Sequence, residues 1–257
     1  MTTSAGWREY AIEAALLAVF MVSASAFTIL VDHPRGPLFG LIADPAIRRF
    51  VVGCAMGITA AALIYSRWGS RSGAHLNPAV TLALATRRGM NCRAVAGYVV
   101  GHFAGGIGGM AIAAGLFGST LDHPAVNWVI TRPGSHGAVV AFAAELLMTL
   151  AMMTVVLWAA NHPRWAPRAG LAAAAMVTIF ITFEAPLSGM SLNPARTLGP
   201  ALFARDFTAI WIYFVAPTVG MSLAARAHSR YCPNGHCPRG LNCTHAGAPR
   251  ATLNEDL

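Results

Sequence analysis

One short phrase occurs twice in this chain and restricts its fold more than any other feature. Ser72-Gly73-Ala74-His75-Leu76-Asn77-Pro78-Ala79-Val80-Thr81-Leu82 returns as Ser188-Gly189-Met190-Ser191-Leu192-Asn193-Pro194-Ala195-Arg196-Thr197-Leu198. Taken one residue further, to Ala83 and Gly199, the copies agree at eight of twelve positions. Each copy follows two long apolar stretches and precedes a third. Glu13 and Glu145 sit early in the first stretch of each half. Three crossings per half is an odd number, so the two halves must enter a membrane from opposite faces. That is an inverted repeat, and matching interruptions within it point to a substrate path.

Composition supports the membrane reading. Hydrophobic residues make up 56% of the chain and charged residues 11%, against about 25% charged in a soluble domain. Ala11–Val31, Phe50–Tyr65, Ala94–Phe117, Ala138–Ala160, Ala169–Phe183 and Phe207–Ala225 are near or above the ~17–25 residues that cross a bilayer. The first is too long for the core of a cleavable signal and reads as an uncleaved helix.

After each phrase comes a stretch of about two turns, Ala79–Ala85 and Ala195–Phe203, too short to cross at ~1.5 Å per residue. Proline suits a first helical turn and the preceding Asn can cap it. Each stretch is therefore a half-helix starting near the midplane. Non-helical backbone before it is tolerable only in protein or beside a water-filled cavity. Glycines at four-residue spacing (Gly101, Gly105 and Gly109; Gly53 and Gly57) allow close helix crossings. The fold class that follows is an all-α membrane protein with six transmembrane helices plus two re-entrant half-helices in an inverted three-plus-three repeat.

The net charge of +8 comes from arginine, since there is no lysine. Arg8, Arg67, Arg71, Arg87, Arg88, Arg93, Arg164, Arg168, Arg226, Arg230, Arg239 and Arg250 fall on the side of the termini, and the other six arginines fall opposite. By the positive-inside bias both termini are cytoplasmic, in the plasma (cytoplasmic) membrane. The charge describes topology, so nucleic acid is not expected as a partner. The channel domain is expected over residues 1–226, with repeat halves of about 9–118 and 138–226. A polar, disordered cytoplasmic tail is expected over 227–257. Cys232, His236, Cys237, Cys243 and His245 in that tail fit no zinc motif, so no metal ligands are assigned.

These residues resemble the aquaporin and glycerol-facilitator family, the major intrinsic proteins. The likeness rests on the paired Asn-Pro-Ala phrases, Arg after the second only, Gly73-Ala74-His75, Glu13 and Glu145, and covers about Glu13 to Ala225. It implies a passive channel, a homotetramer with a pore in each subunit, and neither a cofactor nor a catalytic residue. It places the amide donors of Asn77 and Asn193 in the lumen, with His75 beside the first phrase. It places Arg196 in the narrowest constriction, with Met56, Ile181 and Met190 as its other members. Ordinary water channels of this kind have an aromatic where Met56 falls and a histidine where Ile181 falls. Thr197, Ala201 and Tyr213-Phe214 are nevertheless similar to the water type. Water is thus the expected permeant, with small neutral solutes such as glycerol, ammonia, urea or hydrogen peroxide left open. A closed-pore protein acting through its Cys/His tail is the rival reading.

The supporting residues have assigned tasks. Glu13 and Glu145 are expected to accept hydrogen bonds from the non-helical backbone of each phrase. His102 stands where the family generally has Gln and is expected to hold loop backbone. Glu184 leaves two readings: it orients Arg196, or it is a solvated carboxylate at the rim.

Overall fold

The computed structural model describes residues 6–88 and 90–231. Cys232, His236, Cys237, Cys243 and His245 lie outside them. The chain forms helices α1 (Trp7–Asp32), α2 (Pro45–Tyr65), α3 (Arg67–Ser72), α4 (Pro78–Arg88), α5 (Cys92–Phe117), α6 (Gly137–Asn161), α7 (Ala169–Phe183), α8 (Ala185–Ser188), α9 (Pro194–Ala204) and α10 (Trp211–Tyr231). Among the described residues α1, α2, α5, α6 and α7 are long and apolar enough to cross a membrane. The 21-residue α10 is as long as α2. It continues past the expected domain end at residue 226, so residues 227–231 are helical and not part of a disordered tail.

Local chemistry sets the helix starts. Pro45 opens α2 behind Asp44, whose carboxylate accepts from Ala46 N at 2.6 Å. Asn91 caps α5 by accepting from Arg93 N at 2.9 Å. In α1 the Glu9 carboxylate reaches back to Gly6 N at 3.0 Å. Each such cap stabilises its helix by about 1 kcal/mol.

The packing is two-fold in kind. α1 lies along α5 and α6 along α10, while α2 and α7 pair across the two halves. The short helices cross over: α4 packs on α10 and α9 packs on α5. Two apolar cores follow from this exchange. One gathers Ala79, Ala83 and Leu84 of α4 with Met148, Met152 and Leu157 of α6 and Met221 of α10. The other gathers Ala195 of α9 with Leu17 and Met21 of α1 and Met110 and Ala113 of α5. Each half-helix is held by the long helices of the opposite half.

Close crossings require the glycine spacing seen in the sequence. A Cβ at Gly101 would stand 2.6 Å from Tyr10 O, and one at Gly53 would stand 2.8 Å from Thr178 O. Both are backbone atoms that cannot yield.

Candidate functional site

The two phrases adopt the same backbone. Gly73 (φ +99°) and Gly189 (φ +81°) end α3 and α8 in left-handed conformation. They are followed by left-handed Ala74 and Leu76 in one copy, Met190 and Leu192 in the other. Such residues are strained by roughly 1–3 kcal/mol each and persist only where surroundings over-determine them. Buried carboxylates supply that determination. Glu13 accepts from His75 N at 3.0 Å and Leu76 N at 2.6 Å. Glu145 accepts from Ser191 N at 2.6 Å, Leu192 N at 2.8 Å and the Ser188 hydroxyl at 2.8 Å.

Matching hydroxyl contacts complete each loop. Tyr98 OH donates to Ser72 O at 2.6 Å, and Tyr213 OH donates to Ser188 O at 2.5 Å. His75 Nδ1 lies 2.9 Å from Thr81 Oγ1, where the second copy sets Ser191 Oγ 2.5 Å from Thr197 Oγ1. Tyr98 was missed in the sequence and Tyr213 was read only as part of the water-type Tyr213-Phe214 pair, although repeat alignment brings Tyr98 within one residue of Tyr213. Thr131, missed as well, extends the second chain to Thr197 at 2.8 Å.

The asparagines join the copies. Asn77 Oδ1 accepts from Ala79 N at 2.8 Å, and Asn193 Oδ1 accepts from Ala195 N at 3.0 Å. Each amide nitrogen crosses to the other phrase: Asn77 Nδ2 donates to Leu192 O and Asn193 Nδ2 donates to Leu76 O, both at 2.7 Å. The expectation gave these amide donors to the lumen; the structure adds a contact between the two loops. One N–H of each is spent on the opposite loop and a second remains.

His102 also differs from its expected role. It touches no loop backbone; its Nε2 lies 2.9 Å from Glu13 Oε2, and it reaches the loop through that carboxylate. Glu145 has the Ser188 hydroxyl in that place.

A cavity of about 810 Å³ runs between the phrases. One wall is a stripe of α2: Arg49, Val52, Met56, Ala60, Ile64 and Tyr65. At ~1.5 Å per residue this stripe spans about 24 Å. Asn77, Asn193, Arg196, Met56, Ile181, Met190 and His75 all line this cavity, so the structure brings every expected lumen residue together. Its walls are mainly apolar side chains.

Arg196 is anchored by a group that the sequence could not reveal. Its Nη1 donates to Val129 O at 2.7 Å. Val129 follows Asn127 and Trp128, all three with φ between +44° and +54°. Trp128 fixes this strained turn by stacking on Phe203 and donating from Nε1 to Asp122 at 3.0 Å. Glu184 matches neither of its readings. It is 8% exposed, and among the described residues its carboxylate makes no hydrogen bond to Arg196.

The major intrinsic protein family matches residues 2–228. The chain belongs to the major intrinsic protein family. It is 35% identical over 212 residues to Aquaporin NIP1-3 of Oryza sativa subsp. japonica, covering 82% of this chain and 69% of that one. Aquaporin NIP2-3 of Zea mays is 40% identical over 167 residues, covering 65% and 53%. The aquaglyceroporin from Plasmodium falciparum superposes with a TM-score of 0.72 at 20% identity, covering 89% of this chain and 98% of that one, a likeness of fold. Members of the major intrinsic protein family are membrane channels, and the long apolar helices of this chain fit an integral membrane protein.

Proposed function

We propose that this channel passes water and small uncharged solutes and rejects ions and protons. The observation that carries the reading is the cavity on which both asparagines and the Met56, Ile181, Met190 and Arg196 side chains converge.

The chemistry follows from the wall. The second N–H of Asn77 and of Asn193 faces a passing oxygen where the positive ends of α4 and α9 come together. A water whose oxygen accepts from both amides accepts no hydrogen bond from either neighbour along the file, which interrupts proton transfer. Arg196 supplies a fixed cation and donors for a dehydrating solute, and an electrostatic barrier against cations. Met56, Ile181 and Met190 offer no hydrogen bond. Two of the three are unbranched and adaptable, so the ring accommodates a molecule larger than water. His75 is held by Glu13 and Thr81 as a polar wall residue below the first phrase.

The assembly reading extends this picture. The arginine bias supports cytoplasmic termini and residence in the plasma membrane. Exposed apolar side chains such as Ile58, Val139, Leu147 and Ile179 fit a homotetramer set in lipid.

Stopped-flow light scattering on proteoliposomes under parallel water and glycerol gradients tests the function. Both fluxes should exceed those of empty liposomes, and Ile181→His should lower glycerol more than water. Water flux no faster than in empty liposomes would overturn the reading.

A further inference from the structure

The cavity carries a second arginine that the channel reading leaves unused. Arg49 lies on the α2 stripe seven residues before Met56, two turns or about 10 Å along the lumen wall. Its Nε donates to Thr182 O at 3.3 Å, and Thr182 directly follows the constriction residue Ile181. The tether is of the same kind as that of Arg196, a guanidinium fixed to a backbone carbonyl.

The charges at this mouth do not cancel. Asp32 is the carboxylate that lines the cavity there, and its Oδ1 accepts from Arg48 Nε at 3.0 Å. Among the described residues neither Arg49 nor Arg196 enters a salt bridge. Two guanidinium charges therefore face the lumen in series, and the one carboxylate on this lining is ion-paired with Arg48 and offsets Arg49 only at longer range. Low-dielectric walls focus such a field along a cleft.

We propose that Arg49 is a second selectivity residue of the pore, a cation-rejecting station on the lumen wall between the Asp32 mouth and the Arg196 constriction. The proposal rests on the channel reading above and assigns it a further residue. A small cation such as methylammonium meets the Arg49 field before it loses its hydration shell, whereas water and neutral solutes do not. Because the mouth is hydrated, salt weakens this station more than the constriction. The Debye length falls from about 30 Å at 0.01 M to about 3 Å at 1 M.

The test compares methylammonium and water fluxes in proteoliposomes carrying wild-type protein, Arg49→Gln, Arg49→Lys, Arg196→Val and the Arg49→Gln/Arg196→Val pair. Water flux in Arg49→Gln should stay within about twofold of wild type. Its methylammonium-to-water ratio should rise severalfold at about 10 mM salt and approach wild type near 1 M. Arg49→Lys should keep the wild-type ratio, and the double variant should leak more than either single one. Arg49→His gives the same comparison inside one folded protein, leaking at pH 8 and excluding at pH 5.5, each read against wild type at that pH. An Arg49→Gln ratio equal to wild type at low salt, or an Arg49→Lys leak as large as that of Arg49→Gln, overturns the proposal. Wild-type water flux at the empty-liposome level overturns the channel reading and this proposal with it. Normal water flux with an unmoved ratio overturns this proposal alone.

Discussion

The side-chain amide of Asn193 donates to the backbone carbonyl of Leu76 at 2.7 Å, across the boundary between the two halves of the chain. Asn77 returns the contact to Leu192 O at the same distance. Each asparagine thus caps its own half-helix with Oδ1 and ties down the other loop with Nδ2. A carboxylate could do the first and not the second, so Asp in either place would keep the cap and lose the cross-link.

This exchange makes Asn193→Asp informative. The cap survives, but the half-buried Leu76 O loses its donor and faces a new negative charge. An unsatisfied buried carbonyl costs about 1–3 kcal/mol. Thermal unfolding in detergent should register that loss, and proteoliposomes should pass less water while admitting cations more readily. Asn77→Asp should behave alike, because the geometry is reciprocal. An Asn193→Asp protein with wild-type melting and wild-type selectivity would contradict the role of the cross-link.

The Glu13–His102 contact separates donor from ring. Both side chains are fully buried, and His102 Nε2 is 2.9 Å from the carboxylate. His102→Gln keeps an N–H for Glu13 and should stay within about 1 kcal/mol of wild type. His102→Leu removes it and should cost about 1–3 kcal/mol, with faster hydrogen exchange at His75 and Leu76, the amides that Glu13 holds. Equal stability of the two variants would mean that the ring packs without supporting the carboxylate.

Glycine spacing in α5 yields a contrast between neighbours. A Cβ at Gly109 would stand 2.7 Å from Ala18 Cα, a backbone atom of α1, whereas one at Gly108 meets nothing within 4 Å. Gly109→Leu should abolish recovery of folded protein, and Gly108→Leu should leave monodisperse protein with normal water flux. Size-exclusion profiles of the two variants read the difference directly. Equal tolerance would mean that α1 and α5 can separate at little cost, against the close-crossing argument.

How much of this was legible in the sequence depended on what carries each feature. The half-helices, their Asn-Pro starts and the odd number of crossings are written in residue type and spacing, so Asn77, Asn193 and the glycine seams could be placed beforehand, and the family resemblance placed Arg196. Val129 could not, because its contribution is a backbone carbonyl on a left-handed turn that any residue might supply. Glu184 misled for the opposite reason. A carboxylate at a helix end near a mouth suggests solvent, and only packing buries it. The tyrosine anchors Tyr98 and Tyr213 were readable in principle, since they recur at nearly the phrase offset. Their aromatic bodies simply resembled ordinary span residues.

The last prediction concerns acid and the turn that holds Arg196. His33, just beyond the end of α1, packs edge-on against His123 with ring centroids 4.6 Å apart. Each ring accepts a backbone N–H at Nδ1, His33 from Arg35 at 3.0 Å and His123 from Ala125 at 3.2 Å. The His33 ring is therefore neutral with the proton on Nε2. Adding a proton to its Nδ1 sets N–H against N–H and places charge beside the His123 ring. The adjacent carboxylates are engaged elsewhere, Asp32 by Arg48 and Asp122 by Trp128. Burial, then His123 and Arg35, hold His33 below the usual histidine range. Because the folded pKa is lowered, the unfolded loop binds the proton more readily, and local stability falls as pH drops from the ordinary value of about 6.5 toward the folded one. Hydrogen exchange over residues 118–129 should therefore accelerate, after correction for intrinsic rates, between pH 7.5 and pH 5.5. The His33→Asn/His123→Asn pair keeps an acceptor in place of each Nδ1 and cannot titrate, so its exchange should be flat across the same range. An equal acceleration in both proteins would place the acid response outside this pair.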